Sequence, residues 1–173
     1  MTRKLLFAHD DWIAFDESGR PTSNNYTRHL VDRYRYLADR VTFAVRCNAT
    51  TRIAWFEDAA ISCIPDMKHG RNLARYLSAR RSLRELVESH DIVVARLPSL
   101  IGSWALRAAW KTRKPVLVEM VGCPWDALWN HSLKGKILAP WFWAKNRRLL
   151  RRATHAVYVT ERFLQQRYPT QGR

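Results

Sequence analysis

The residues of this chain best suited to chemistry are polar groups that punctuate apolar runs. Pro115 to Asn130 reads PVLVEMVGCPWDALWN. Its Val116-Leu117-Val118 run fits a strand buried on both faces of a parallel sheet. Glu119 sits inside that run, where an unpaired carboxylate is costly. It is therefore either paired with a base such as Arg96 or exposed at the strand's end. Gly122, Cys123 and Pro124 break the strand, and Trp125, Asp126 and Trp129 follow directly. Ligands of open parallel sheets bind where loops leave the carboxyl ends of strands. A carboxylate there can accept hydrogen bonds from hydroxyl groups or take a proton. The alternative is that the two indoles cover the strand end and that Asp126 caps a short helix through Trp129.

Other strand ends carry the same kind of group. His9, Asp10 and Asp11 follow a first strand expected over Lys4 to Ala8, and Arg96 follows one over Ile92 to Ala95. Thr160 and Glu161 follow one over Ala156 to Val159; Thr is a good cap and Glu suits a helix start, so these two read as structural. His9, Asp10, Arg96, Glu119 and Asp126 would converge on one sheet edge, as binding groups or as solvated loop residues.

The elements that must position them alternate. Tyr26, Leu30, Val31, Tyr34 and Leu37 recur at helical spacing and predict a helix over about Asn24 to Ala38, capped by Asn24 or Asn25. Val41 to Arg46 is a second strand, and Arg52 to Phe56 and Ala60 to Ile64 are short strand candidates. Pro65-Asp66 and Gly70 mark a turn. Leu73, Tyr76, Leu77, Leu83, Leu86 and Val87 form one stripe, with Arg71, Arg75, Arg81 and Arg84 largely off it. Ser99 caps a helix to about Trp110, another helix is expected over Ile137 to Arg152, and a last one from Thr160 to Arg167. Strands alternating with helices predict an α/β fold: a Rossmann-like three-layer α/β/α domain with a mostly parallel sheet, spanning residues 1–173.

The net charge of +15 attracts polyanions: nucleic acid, an anionic membrane surface or phosphorylated substrates. Six of the eight tryptophans fall between Trp104 and Trp143, and indole favours the headgroup level of a membrane over a DNA groove. Within WFWAKNRRLLRR, helical spacing sets Phe142, Trp143, Leu149 and Leu150 on one side. It sets Arg147, Arg148, Arg151 and Arg152 on the other, with Trp141 and Lys145 at the boundary. That arrangement suits a helix lying on an anionic membrane or one packed on the sheet with a solvated basic face. The three cysteines, 47, 63 and 123, are odd in number and widely spaced, which predicts reduced thiols in the cytoplasm, no disulfide and no zinc site. No GxGxxG, GxxxxGK[ST] or GxSxG motif is present, no His/Cys cluster has metal-ligand spacing, and no cofactor is expected. Nucleic acid is a less favoured partner, since no RNP, helix-turn-helix or zinc signature accompanies the charge.

The segments VLVEMVGCPWDALWNHSLKGKILAPWFW and ATHAVYVTERFLQQRYPTQG resemble the N-terminal half of bacterial GT-B glycosyltransferases. The similar group is the family-four-like enzymes of capsule and exopolysaccharide assembly, and weaker likeness runs from KLLFAHD to the end. The resemblance implies an acceptor-side domain serving a glycan or lipid-linked acceptor at the inner face of the cell membrane. Many related enzymes carry His at the strand end where this chain reads EMVGCPWD. That departure moves the expected catalytic role to Glu119 and Asp126, with His9, Asp10, Arg96 and Trp125 binding the acceptor. Membrane contact is expected from Trp141, Arg147, Arg148, Arg151 and Arg152. The family binds its nucleotide-sugar through two C-terminal glutamates with seven residues between them, and no such pair occurs in these 173 residues. The donor domain is therefore expected elsewhere, with this chain inactive alone. Competing readings are a basic nucleic-acid- or membrane-binding module and a catalytically silent adaptor.

Overall fold

The computed structural model describes residues 2–17, 27–47, 52–56, 58–65 and 73–172, with backbone only at 52–56 and 65. The elements follow one another as β1 (Lys4–Ile13), α1 (Arg28–Arg35), β2 (Arg40–Cys47), β3 (Arg52–Phe56), β4 (Ala59–Pro65), α2 (Leu73–Glu88) and β5 (Ile92–Leu97). They continue as α3 (Leu100–Lys111), β6 (Val116–Met120), α4 (Pro124–Trp129), α5 (Leu133–Arg151), β7 (Ala156–Tyr158) and α6 (Phe163–Arg167). One sheet runs in the order β3-β4-β2-β1-β5-β6-β7. Six strands are parallel and β3 is antiparallel on its edge.

Strand alternation divides the core between two faces. Leu5, Phe7, Phe43, Val45 and Val94 meet Leu30, Val31 and Tyr34 of α1 on one side. Leu6, Ala8 and Val93 meet Leu83 and Val87 of α2 and Ile101 and Ala105 of α3 on the other. That second side continues through Ala95, Val118 and Met120 to Leu149 and Leu150 of α5. Leu5 to Ala8 are wholly buried, as a central strand covered on both faces requires. The three-layer Rossmann-like fold with a mostly parallel sheet is thus present.

Several expectations need correction. β1 continues past Ala8, through a register shift against β2, so His9, Asp10 and Asp11 lie within the strand instead of after it. Helix α1 starts at Arg28 with Thr27 in the cap position; Asn24, Asn25, Asp66, Gly70 and Arg71 lie outside the described residues. In α2 the buried positions are Ala79, Leu83 and Val87, while Leu73 and Leu77 are exposed. Helix α5 begins one turn earlier than expected, where the Ser132 hydroxyl accepts from the Gly135 amide at 3.0 Å. Pro140 then falls inside the helix.

The cysteine expectation fails. Cys47 and Cys63 are joined in a disulfide, with Cα atoms 5.4 Å apart, and only Cys123 is free. β2 and β4 are parallel neighbours, with Val45 opposite Cys63 and Cys47 opposite Pro65. Strand pairing thus joins two thiols that sequence spacing leaves apart, and the cytoplasmic placement loses the support of reduced cysteines.

Candidate functional site

Strands β5 and β6 lie in a register that sets Arg96 opposite Glu119, so the two side chains leave the same face as neighbours. Arg96 Nη2 is 2.9 Å and Nε 3.0 Å from Glu119 Oε2. The other carboxylate oxygen accepts from the Tyr34 hydroxyl of α1 at 2.7 Å. Glu119 is 7% exposed, and a buried carboxylate persists only when paired and hydrogen-bonded on both oxygens. Of the two possibilities for Glu119, pairing with Arg96 is the one realised. Phe7 joins the group: the Arg96 guanidinium lies 4.7 Å above its ring, and the Tyr34 ring is 5.4 Å away. Burial, followed by the charge of Glu119, pushes the Tyr34 hydroxyl up, so it remains a donor.

His9 is the fifth member. Its ring lies 6.4 Å from that of Phe7, and its Nδ1 is buried without a hydrogen-bond partner among the described residues. Burial, then the positive charge of Arg96, holds it below its usual 6.5, with Asp11, Asp10 and Glu119 opposing. A ring kept neutral in the fold but protonated in the unfolded chain costs stability as pH falls. The stability associated with neutral His9 is complete above about 6.5 and declines as pH drops toward the depressed folded value. His9→Gln, which cannot titrate, is therefore expected to lose less melting temperature than the parent between about pH 7 and about pH 5. Parallel thermal curves for the two proteins would show that His9 titrates freely.

Asp10 has another task. Its Oδ2 accepts from the Leu100 amide at 2.5 Å and its Oδ1 from the Ile101 amide at 2.7 Å. Ser99 Oγ takes the Gly102 amide at 2.6 Å. Three of the free amides that open α3 are thus satisfied, two of them by a carboxylate favoured by the helix dipole. A Cβ at Gly102 would stand 2.3 Å from the Arg96 carbonyl oxygen, so α3 reaches this strand end only with glycine there. Thr160 likewise acts structurally, its hydroxyl accepting from the Leu164 amide at 2.9 Å, although α6 begins at Phe163.

The loop after β6 forms α4, with Cys123 in the cap position and Pro124 opening the first turn, a place proline favours. Asp126 therefore lies in the first turn, not at the cap; its Oδ1 is 3.6 Å from Arg167 Nη2 and its side chain is 45% exposed. Trp125 stacks on Trp129 at 5.2 Å and meets Trp143 edge-on at 6.4 Å. Trp125, Trp143, Arg147, Phe163, Gln166 and Arg167 line a cleft of about 590 Å³.

Arg147, Arg148 and Arg151 of α5 and Arg152 at its C-cap do not share one face. Arg147 lies 5.0 Å above the Trp143 ring in that cleft. Arg148 and Arg152 line a separate groove of about 860 Å³ between α3 and α5, with Arg107, Lys111, Lys145 and Trp141. Arg151 is exposed. No carboxylate among the described residues lines the groove, and burial followed by Arg107 holds the Lys145 ammonium below its ordinary value, with Asp10 opposing. Phe142 and Trp143 are only partly buried; the most exposed large apolar side chains of α5 are Leu133, Ile137 and Trp141, at 80%, 79% and 58%, ahead of Leu138 at 47%. Four-residue spacing puts those three on one outward stripe. Sequence reading started the helix at Ile137 and missed this stripe, for which Ser132 followed by Gly135 was the available signal. Nothing in the sequence pointed to Tyr34 as the partner of Glu119. No helix among the described residues is long and apolar enough to cross a membrane.

These features define an α/β domain that gathers a buried charged network and an aromatic cleft toward the carboxyl edge of its sheet. The chain belongs to the glycosyl transferase 4-like domain family, which it matches over residues 22–169. It is 36% identical over 88 residues to Protein CapJ of Staphylococcus aureus, a stretch covering 50% of this chain and 22% of that protein. Among solved structures it is similar to the C-terminal domain of a hydrogenase from Pyrococcus furiosus, at 16% identity and a TM-score of 0.35. That likeness covers 67% of this chain and 90% of the other, and is too slight to bear on function.

Proposed function

We propose that this chain is the acceptor-side domain of a sugar transferase acting at an anionic membrane surface. A nucleotide-sugar would be presented to the same sheet edge by a second, C-terminal domain. The supporting observation is the buried Tyr34–Glu119–Arg96 network with His9 beside it, built from α1 and the central strands of a member of this family. In the reaction an acceptor hydroxyl attacks the anomeric carbon. Its bond to the diphosphate oxygen breaks, the diphosphate leaves with the electron pair, and the hydroxyl proton passes to a base. Glu119 has both oxygens engaged, so it positions Arg96, whose charge favours the developing anion. The proton goes to Asp126, the half-exposed carboxylate after β6. His9 receives a second hydroxyl of the same glycan, while Asp10 acts through α3.

The membrane side of this reading rests on α5, whose outward stripe of Leu133, Ile137 and Trp141 reaches the cationic groove at Trp141. The cytoplasmic face is proposed because the transfer draws on nucleotide-sugar. The test is deletion of the gene in the organism that encodes it, followed by complementation. Loss of sugar incorporation into membrane glycolipid, restored by the parent but not by Asp126→Asn or His9→Ala at equal protein levels, is the expected result. Full restoration by both variants would overturn the assignment.

A further inference from the structure

The cleft between α4, α5 and α6 holds two guanidinium groups that the proposed transfer step leaves unused. Arg147 lies 5.0 Å above the Trp143 ring, yet its Nε is buried and lacks a hydrogen-bond partner among the described residues. A buried donor left without an acceptor costs free energy that a ligand oxygen would recover. Arg167 lies 5.8 Å from the Trp125 ring and 5.5 Å from that of Phe163. Its contact with Asp126 is 3.6 Å, beyond the roughly 2.7–2.9 Å of a charge-assisted hydrogen bond. Two planar forks thus sit among three aromatic side chains, and Gln166 adds an amide. The volume of about 590 Å³ falls among small-ligand sites, roughly 300–1,000 Å³.

We propose that this cleft binds a sugar ring carrying an oxyanion, either the carboxylate of a uronic acid or a phosphate ester, as part of the acceptor glycan. Aromatic walls suit the apolar faces of a pyranose, and a guanidinium fork matches a carboxylate or phosphate on two donors. A neutral sugar offers only hydroxyl and ether oxygens, weaker acceptors than an oxyanion and without the paired oxygens that match a fork on two donors. α4 starts four residues after the last residue of β6, the strand that carries Glu119, so Trp125 of the cleft follows the carboxyl end of that strand. This inference deepens the transferase reading and rests on it.

The experiment is a titration of the full chain with glucuronic acid, glucose 1-phosphate and glucose at one ionic strength, followed by calorimetry or tryptophan fluorescence. At least one acidic sugar is expected to bind about 10-fold or more tightly than glucose. Preference between the two acids separates the carboxylate from the phosphate. Arg147→Gln and Arg167→Gln are each expected to remove that preference, and Arg147→Lys to restore little of it, since lysine keeps the charge but not the fork. Arg148→Ser, in the separate groove, should leave it unchanged. Equal affinity for all three sugars overturns the proposal. So does acid preference that survives Arg147→Gln in a protein of unchanged melting temperature, or one lost equally with Arg148→Ser, which marks a general positive field. Failure here while Asp126 and His9 remain essential for transfer removes the cleft alone. Acid-specific binding with no transferase role in the cell removes the transferase reading and leaves the site.

Discussion

Glu119→Ala is expected to destabilise the chain by roughly 3–5 kcal/mol, the cost of leaving one partner of a buried ion pair alone. Set against the roughly 5–15 kcal/mol that holds a typical domain, that is a large fraction. The reasons are geometric. Arg96 has a side chain 21% exposed, so its charge is only partly returned to water when the carboxylate goes. Tyr34 is 1% exposed and loses the acceptor of its hydroxyl at the same time. Glu119→Gln keeps an oxygen for Tyr34 and removes only the charge, so it should fall between parent and alanine variant. Replacing both partners, as Arg96→Met with Glu119→Leu, should recover much of the loss, because two apolar side chains leave no buried charge behind. Denaturant unfolding of the four proteins measures these differences. A Glu119→Ala variant within about 1 kcal/mol of the parent would mean that water reaches the pair and that the network does not hold the strand ends together.

The sheet was readable from the sequence because its strands are short apolar runs separated by amphipathic helices. Ile92 to Ala95 and Val116 to Val118 lie within β5 and β6, and Ser99 caps α3 as expected. The pairing of Glu119 with Arg96 was foreseen as one of two outcomes, the other being exposure at the strand's end, since a carboxylate inside an apolar run needs a counter-charge or water. Its third member was not: Tyr34 occupies an ordinary stripe position of α1, and only the packing of α1 over β1 and β2 brings its hydroxyl to the carboxylate. Strand ends were placed too early, because His9, Asp10 and Asp11 read as loop while the register shift carries β1 on to Ile13. The disulfide was hidden for a related reason. Which strands become neighbours is a property of the sheet order, and Cys47 and Cys63 sit on two that do.

The basic helix shows how an argument from helical spacing can fail on geometry. A wheel that begins at Ile137 treats Phe142 and Trp143 as the apolar face and four arginines as the other. The longer helix instead turns Leu133, Ile137 and Trp141 outward, with Lys134, Lys136, Arg148 and Arg152 exposed beside them. Burying a Leu or Ile side chain fully is worth about 1.5–3 kcal/mol, and a cation near an anionic surface about 1 kcal/mol. Changing Leu133, Ile137 and Trp141 together to Ser is therefore expected to weaken binding to phosphatidylglycerol-containing vesicles by roughly 100-fold, or about 3 kcal/mol at partial insertion depth. Arg148→Ser with Arg152→Ser should weaken it less. That second loss should fade toward about 1 M salt, where the screening length is only about 3 Å, whereas the loss from the apolar stripe should persist. Arg147→Ser should have little effect, since its guanidinium lies over Trp143 in the other cleft. Vesicle sedimentation across a salt series reads all three results. A triple variant that sediments like the parent would exclude the stripe as the anchor, and a parent that dimerises through it without binding vesicles would assign this face to a second copy of the chain.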